Sequence, residues 1–133
     1  MTREVPQRLI TGDCTPLLQS RKAFAAECYA LMQSRCYRPK AIVEYDRKAF
    51  IAKENKIRVT FDSRIVATES SFELFDERLN MAPVLDPGAV VMEVKYNGFL
   101  LDYIRRMINT VDQSELSVSK YMLARQCGYR YRL

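Results

Sequence analysis

Two short stretches alternate polar and apolar residues so regularly that they narrow the folds open to this chain. Ala89 to Tyr96, bounded by Pro87-Gly88 and by Gly98, is rich in β-branched and apolar residues and predicts a strand. Successive strand side chains point to opposite faces, so Glu93 and Lys95 share a face with Val91, while Met92, Val94 and Tyr96 share the other. Lys56 to Asp62 repeats the pattern, with Ile57, Val59 and Phe61 on one face and Lys56, Arg58, Thr60 and Asp62 on the other. A sheet covered on both sides by hydrophobic helices would not tolerate such a charged face. It is either bathed in water or lines a polar cavity.

The 133 residues fit one domain, 48% hydrophobic and 28% charged, as in a globular protein. The net charge of +5 favours polyanionic partners without choosing among them. Histidine is absent, which excludes Ser-His, Cys-His or any imidazole chemistry supplied by this chain. The four cysteines, Cys14, Cys28, Cys36 and Cys127, show no CxxC spacing. That argues against a zinc site and for reduced thiols packed as small hydrophobes in a cytoplasmic protein. There is no secretory leader pattern and no apolar run approaching the ~20 residues of a membrane span.

Along the chain, a turn of helix is expected around Gln7 to Ile10. A helix is expected from Thr15-Pro16, an N-cap followed by proline, to about Cys36. Pro39 stops that helix and opens a strand from Lys40 to about Asp46, which resumes after a bend from Ala49 to Ala52. Glu54 to Lys56 makes the hairpin turn, and Ile65 to Ser70 reads as a further short strand. Asn80 to Gly88 is loop, and Leu100, Tyr103, Ile104, Met107 and Val111 mark a second amphipathic helix. Ser117 to Gln126 fits helix or strand, and the basic tail with Arg125, Arg130 and Arg132 reads as solvated and frayed. The fold class is therefore α+β, an antiparallel sheet of about four strands flanked by helices.

Five blocks, taken together, resemble a known family: Arg38 to Arg47 (RPKAIVEYDR), Ile57 to Asp62 (IRVTFD), Val84 to Gly88 (VLDPG), Met92 to Tyr96 (MEVKY) and Ser117 to Tyr121 (SVSKY). Their order and spacing, from about Ile10 to Arg125, are similar to the VTC domain of polyphosphate polymerases, within the triphosphate tunnel metalloenzymes. The resemblance implies an antiparallel barrel with a basic lumen. It also implies that the chain is the C-terminal half of such a domain, residues 1–133 lacking the N-terminal half of the tunnel, as from a split gene or a truncated product. Open strand edges would then invite a homodimer or a complex with the missing half.

Carried over residue by residue, the resemblance implies phosphate contacts from Arg47, Arg58, Lys95 and Lys120, with Ser119 as a hydroxyl donor. Arg58, Glu93 and Lys120 would be catalytic, and Glu93 would hold a divalent metal, Mn²⁺ or Mg²⁺. Such an ion needs few protein carboxylates when phosphate oxygens and water complete its shell. Arginine forks suit phosphate oxygens, and phosphoryl transfer asks chiefly for positioning and charge neutralisation. Strict alternation puts Arg47 with Val43 and Tyr45, so a place in the lumen requires a bulge near Asp46. Glu44 and Asp46 read as structural ion-pair partners, Asp62 as the close of its strand, and Arg38 and Lys40 as either phosphate contacts or a solvated junction.

Two cations about 8 Å apart repel by roughly 2 kcal/mol at an effective dielectric near 20, so gathering Arg47, Arg58, Lys95 and Lys120 around one lumen argues for a polyanionic ligand. The leading expectation is part of a polyphosphate polymerase that binds ATP and polyphosphate and transfers the terminal phosphoryl group to polyphosphate. A non-catalytic polyphosphate or triphosphate binding module, or an inactive remnant, is the first alternative, and a tunnel triphosphatase is the second. Nucleic-acid binding is disfavoured, because the basic residues are spread through strands and not interleaved with exposed aromatics.

Overall fold

The computed structural model describes residues 3–110 and 118–130, with side chains as far as residue 126. The chain divides into two compact units, one of Met1–Ile42 with Thr68–Asn80 and the other of Val43–Ala67 with Met81–Leu133.

The first unit is helical. Helix α1 (Glu4–Ile10) begins three residues before the expected turn and is followed by a 3-10 turn at Thr15–Leu17. The long helix expected from Thr15 does not form in one piece, since α2 spans only Ala23–Ser34. Asp13 is the cause at the start: its carboxylate accepts from the Thr15 N–H at 3.0 Å and the Thr15 hydroxyl at 2.6 Å, tying Thr15 into a local turn. The hydroxyl, then that N–H and the Arg8 guanidinium, hold the Asp13 carboxyl down at about 2. At the far end Cys36 is left-handed, with φ 51°. Its N–H donates to the Gln33 carbonyl and that of Tyr37 to the Met32 carbonyl, the paired bonds of a Schellman cap. Cys36 is therefore an exposed capping residue and not the core hydrophobe expected; Cys14 is buried instead, beside the Met32 sulfur. No residue of α2 is fully buried, but Ala25, Cys28, Tyr29 and Met32 of the expected apolar face are its half-buried residues, while Phe24, off that face, is 75% exposed.

The second unit holds the sheet. Strand β1 (Ile42–Ile51) runs without the expected bend and is joined through a 3-10 turn at Glu54–Lys56 to β2 (Arg58–Thr68). The Ala52 N–H donates to the Ile57 carbonyl and closes this hairpin. On its other side β2 carries β4 (Val90–Lys95) along its first half and the two-residue β3 (Ala82–Pro83) near its end, both antiparallel. The Asp86 carboxylate accepts the Gly88 N–H at 2.8 Å and sets the turn into β4. Helix α3 (Asp102–Ile108) contributes the buried Ile104, and α4 (Lys120–Arg130) the buried Ala124. The α+β class with an antiparallel sheet stands. Among the described residues the sheet is open, not closed into a barrel.

Strand β2 is one element where two were expected, because a bulge lets it continue. The buried residues of this strand are Thr60, Asp62, Ile65, Ala67 and Thr68. The step from Asp62 to Ile65 is three residues rather than two, and Arg64 between them is left-handed, φ 51°. One extra residue there restores the inward parity, so that Ile65 and Ala67 follow Thr60 and Asp62 onto the same covered face. Arg64 itself is exposed and ion-paired to Asp46, as the structural role expected for Asp46 requires.

Deleting Arg64 should therefore turn Ile65 and Ala67 to the opposite face and abolish cooperative unfolding in urea. Arg64→Gly should fold, with stability within about 1 kcal/mol of the parent, because relief of left-handed strain offsets loss of an exposed ion pair.

Candidate functional site

The register of β2 with β4 fixes which side chains meet. Arg58 lies opposite Lys95, Thr60 opposite Glu93 and Asp62 opposite Val91. Directly opposed residues of an antiparallel pair project from the same face. Arg58, Thr60 and Asp62 thus share a face with Lys95, Glu93 and Val91, as alternation in the two sequence stretches predicts. The reverse face carries Val59, Phe61 and Ser63 against Val94, Met92 and Val90.

Burial does not follow the simplest expectation for the two faces. Ile57 of the apolar face is buried, but Val59 and Phe61 are only half-buried, whereas Asp62 and Thr60 of the polar face are fully buried. A carboxylate removed from water needs strong partners. Arg47 supplies a fork, Nε to Oδ1 at 2.6 Å and Nη2 to Oδ2 at 2.8 Å, and the Lys120 ammonium reaches Oδ2 at 2.6 Å. Both cations also lie 5.0 Å from the centre of the Tyr45 ring, within range of a cation–π attraction. The Arg47 bonds, and behind them Lys120, hold the Asp62 carboxyl down to about 2 against the opposing effect of burial. The same bonds raise Arg47.

Two expectations change here. Asp62 does not merely end a strand; it sits inside an eleven-residue strand and is the hub of the charged face. Arg47 reaches that face without a bulge near Asp46, because it is the face of Tyr45 and Arg47 that meets Asp62. The one signal for Asp62 in the sequence was its place as the sole carboxylate on the polar side of Lys56 to Asp62. Its partners come from β1 and α4, which alternation within one strand cannot reveal.

Glu93 bonds its strand neighbour Lys95 at 2.7 Å. That contact first, and the charges of Lys120 and Arg47 after it, hold the Glu93 carboxyl below the usual range. Thr60, opposite Glu93, has a buried hydroxyl with no hydrogen-bond partner among the described residues. Ser119 caps α4, its hydroxyl accepting from the Met122 N–H at 3.4 Å, which places Lys120 at the first helical position. Arg58 is exposed and lies toward the hairpin end of the face. Arg38 belongs to the other unit, where its guanidinium donates to the Tyr37 carbonyl. Arg130 and Arg132 lie outside the described side chains.

No group of three or more Asp, Glu or Cys side chains able to hold a metal occurs among the described residues. The chain offers a divalent ion the Glu93 carboxylate and the unpartnered Thr60 hydroxyl beside it. That small donor set fits an ion whose remaining positions are filled by phosphate oxygens and water.

The depressed Asp62 carboxyl makes a pH prediction. Its contribution to stability is complete above an ordinary carboxyl value of 3.8 and is lost as pH falls toward about 2. Asp62→Asn should cost about 3 kcal/mol at neutral pH by leaving Arg47 and Lys120 without their counter-charge. The gap between parent and variant, read from urea unfolding at a series of pH values, should narrow between pH 4 and 2; parallel curves would contradict it.

No curated protein and no solved structure matches the chain. No helix among the described residues is long and apolar enough to cross a membrane. The family model described as VTC domain matches residues 3–129, nearly the whole chain and every strand of the charged face, and the chain belongs to the VTC domain family.

Proposed function

We propose that this domain binds the linked phosphates of ATP and polyphosphate on the face around Asp62 and Glu93, and serves phosphoryl transfer in a polyphosphate polymerase. The observation that carries the reading is the convergence of Arg47, Lys95, Glu93 and Lys120 around one buried carboxylate and one unpartnered hydroxyl. On this reading the open sheet forms one wall of a triphosphate tunnel. A second copy or a complementary segment supplies the other, in a cytoplasmic protein.

In the reaction, a terminal oxygen of the polyphosphate chain attacks the γ-phosphorus of ATP, the bond from that phosphorus to the β-bridging oxygen breaks, and ADP leaves. Arg58, Lys95 and Lys120 hold the non-bridging oxygens and offset their charge, which is most of what such a transfer requires. Asp62 keeps Arg47 and Lys120 aimed across the face. Glu93 and Thr60 would hold a Mn²⁺ or Mg²⁺, which when bound would supply positive charge to offset that developing on the phosphates. Ser119, next to Lys120, can donate its hydroxyl hydrogen to the same phosphate while its oxygen still accepts the capping bond from the Met122 N–H.

One observation favours the non-catalytic alternative: Arg47 and Lys120 are already committed to Asp62, and Lys95 to Glu93. A phosphate must compete with those carboxylates, which suits binding more readily than fast turnover. Incubating the chain with ATP and Mn²⁺ distinguishes the two, with new polyphosphate supporting the polymerase and binding without product supporting the module. Release of orthophosphate from tripolyphosphate without chain growth would indicate the triphosphatase. Glu93→Ala should abolish the metal-dependent part of triphosphate affinity, measured by calorimetry with and without Mn²⁺. Lys120→Ala should weaken affinity about tenfold, the worth of one charge-assisted phosphate bond. If neither substitution alters binding, the face around Asp62 is not the phosphate site.

A further inference from the structure

At the hairpin end of the same face, a groove of about 290 Å³ is lined by Ile51, Ala52, Lys53, Lys56, Arg58 and Lys95. Four of the six are cations. Arg58 and Lys95 stand directly opposite one another in the β2–β4 register, and like charges in that position destabilise a sheet. Lys95 is partly relieved by Glu93. Among the described residues Lys53, Lys56 and Arg58 have no ion-pair partner.

The turn that presents the two lysines is held in place. Asn55 and Lys56 both adopt left-handed backbone, φ 49° and 48°. Asparagine tolerates this readily, lysine less so. The Asn55 carbonyl accepts from the Asn97 N–H at 2.8 Å, and the Asn55 amide donates to the Phe99 carbonyl at 2.9 Å. Beyond β4, residues 97–99 therefore clamp the turn. A strained turn fixed by side-chain and backbone bonds, carrying lysines into a groove already crowded with like charge, is arranged for an anion.

We propose that this groove is a second phosphate-binding site, with Lys53 and Lys56 as its own contacts, which takes the part of a long phosphate chain that runs beyond the Asp62 face. The proposal deepens the reading of that face as a phosphate site and rests on it for the course of the chain. Linked phosphates fit better than a nucleic acid, because no aromatic side chain lines the groove on which a base could stack. The four cations share one concavity, which suits a linear polyanion; Ile51 in its lining and Phe50 beside it are exposed, so the vesicle arm of the test separates a lipid surface from linked phosphates.

Calorimetric titration in the presence of a chelator tests this on the intact chain, using long-chain polyphosphate, tripolyphosphate, single-stranded DNA and vesicles of anionic phospholipid. The paired substitution Lys53→Ala with Lys56→Ala should weaken long-chain polyphosphate about tenfold or more, flatten its salt dependence by about one to two charges, and leave tripolyphosphate unchanged. Unchanged long-chain affinity in the paired variant overturns the proposal. An equal loss for both phosphates, or a paired-variant loss confined to DNA or vesicles, also overturns it. If instead the paired variant behaves as expected while Lys120→Ala, and Glu93→Ala titrated with Mn²⁺ in place of the chelator, leave tripolyphosphate binding intact, the groove stands and the reading of the Asp62 face falls.

Discussion

The charged face of this domain depends on a single neutralised carboxylate. Asp62 is removed from water in mid-strand, and both of its oxygens are bonded to cations from elsewhere in the chain, Arg47 on β1 and Lys120 at the start of α4. Stripping an ion of water costs several kcal/mol even after relaxation, so such a group persists only where its partners are well placed. The same bonds draw β1, β2 and α4 together on the polar side of the sheet, a task left to apolar contact in most small domains. The polar face is in this respect the structural interior of its sheet, and the site is made from what holds it together.

That arrangement explains why an apolar stripe was a poor guide to burial. Alternation in Lys56 to Asp62 and Ala89 to Tyr96 correctly sorts residues into two faces, since strand geometry alone decides the sorting. It does not decide which face is covered. Hydropathy assigns the interior to Ile57, Val59 and Phe61, yet of these only Ile57 is buried, and Thr60 and Asp62 are buried with it. The partners that make this tolerable stand 15 residues before Asp62 and at the far end of the chain, beyond the reach of any periodic pattern. The family resemblance named Arg47 and Lys120 as ligands of phosphate, but was silent on what holds them when none is bound.

Local irregularities were hidden for a different reason. Arg64 and Cys36 occupy left-handed backbone that sequences usually mark with glycine. Without that mark, the bulge in β2 looked like a gap between two strands, and the capped end of α2 like one more apolar helical position. The turn at Glu54 to Lys56 and the strand at Ala89 to Tyr96 were legible because their punctuation is orthodox. Asn55 tolerates positive φ, and Pro87-Gly88 breaks the chain before β4.

The bulge and the ion cluster are parts of one solution. If β2 kept strict alternation past Asp62, the residues after it that belong inside, Ile65 and Ala67, would turn outward, and the charged face would continue as Arg64 and Val66. The extra residue ends the polar stripe at Asp62 and lets an apolar core take over on the same side. It also turns Arg64 out to Asp46, keeping a fifth cation away from Arg47 and Lys120. The face that on the proposed reading collects positive charge for a polyanion is thus bounded at one end by a change of strand parity. At the other it opens into the lysine-lined groove of the hairpin, where Arg58 stands opposite Lys95 and only Lys95 has a carboxylate partner, Glu93. Positive charge on this domain therefore rises from the compensated end at Asp62 toward the uncompensated end at Lys53 and Lys56, a gradient that on the proposed reading would give a phosphate chain a direction.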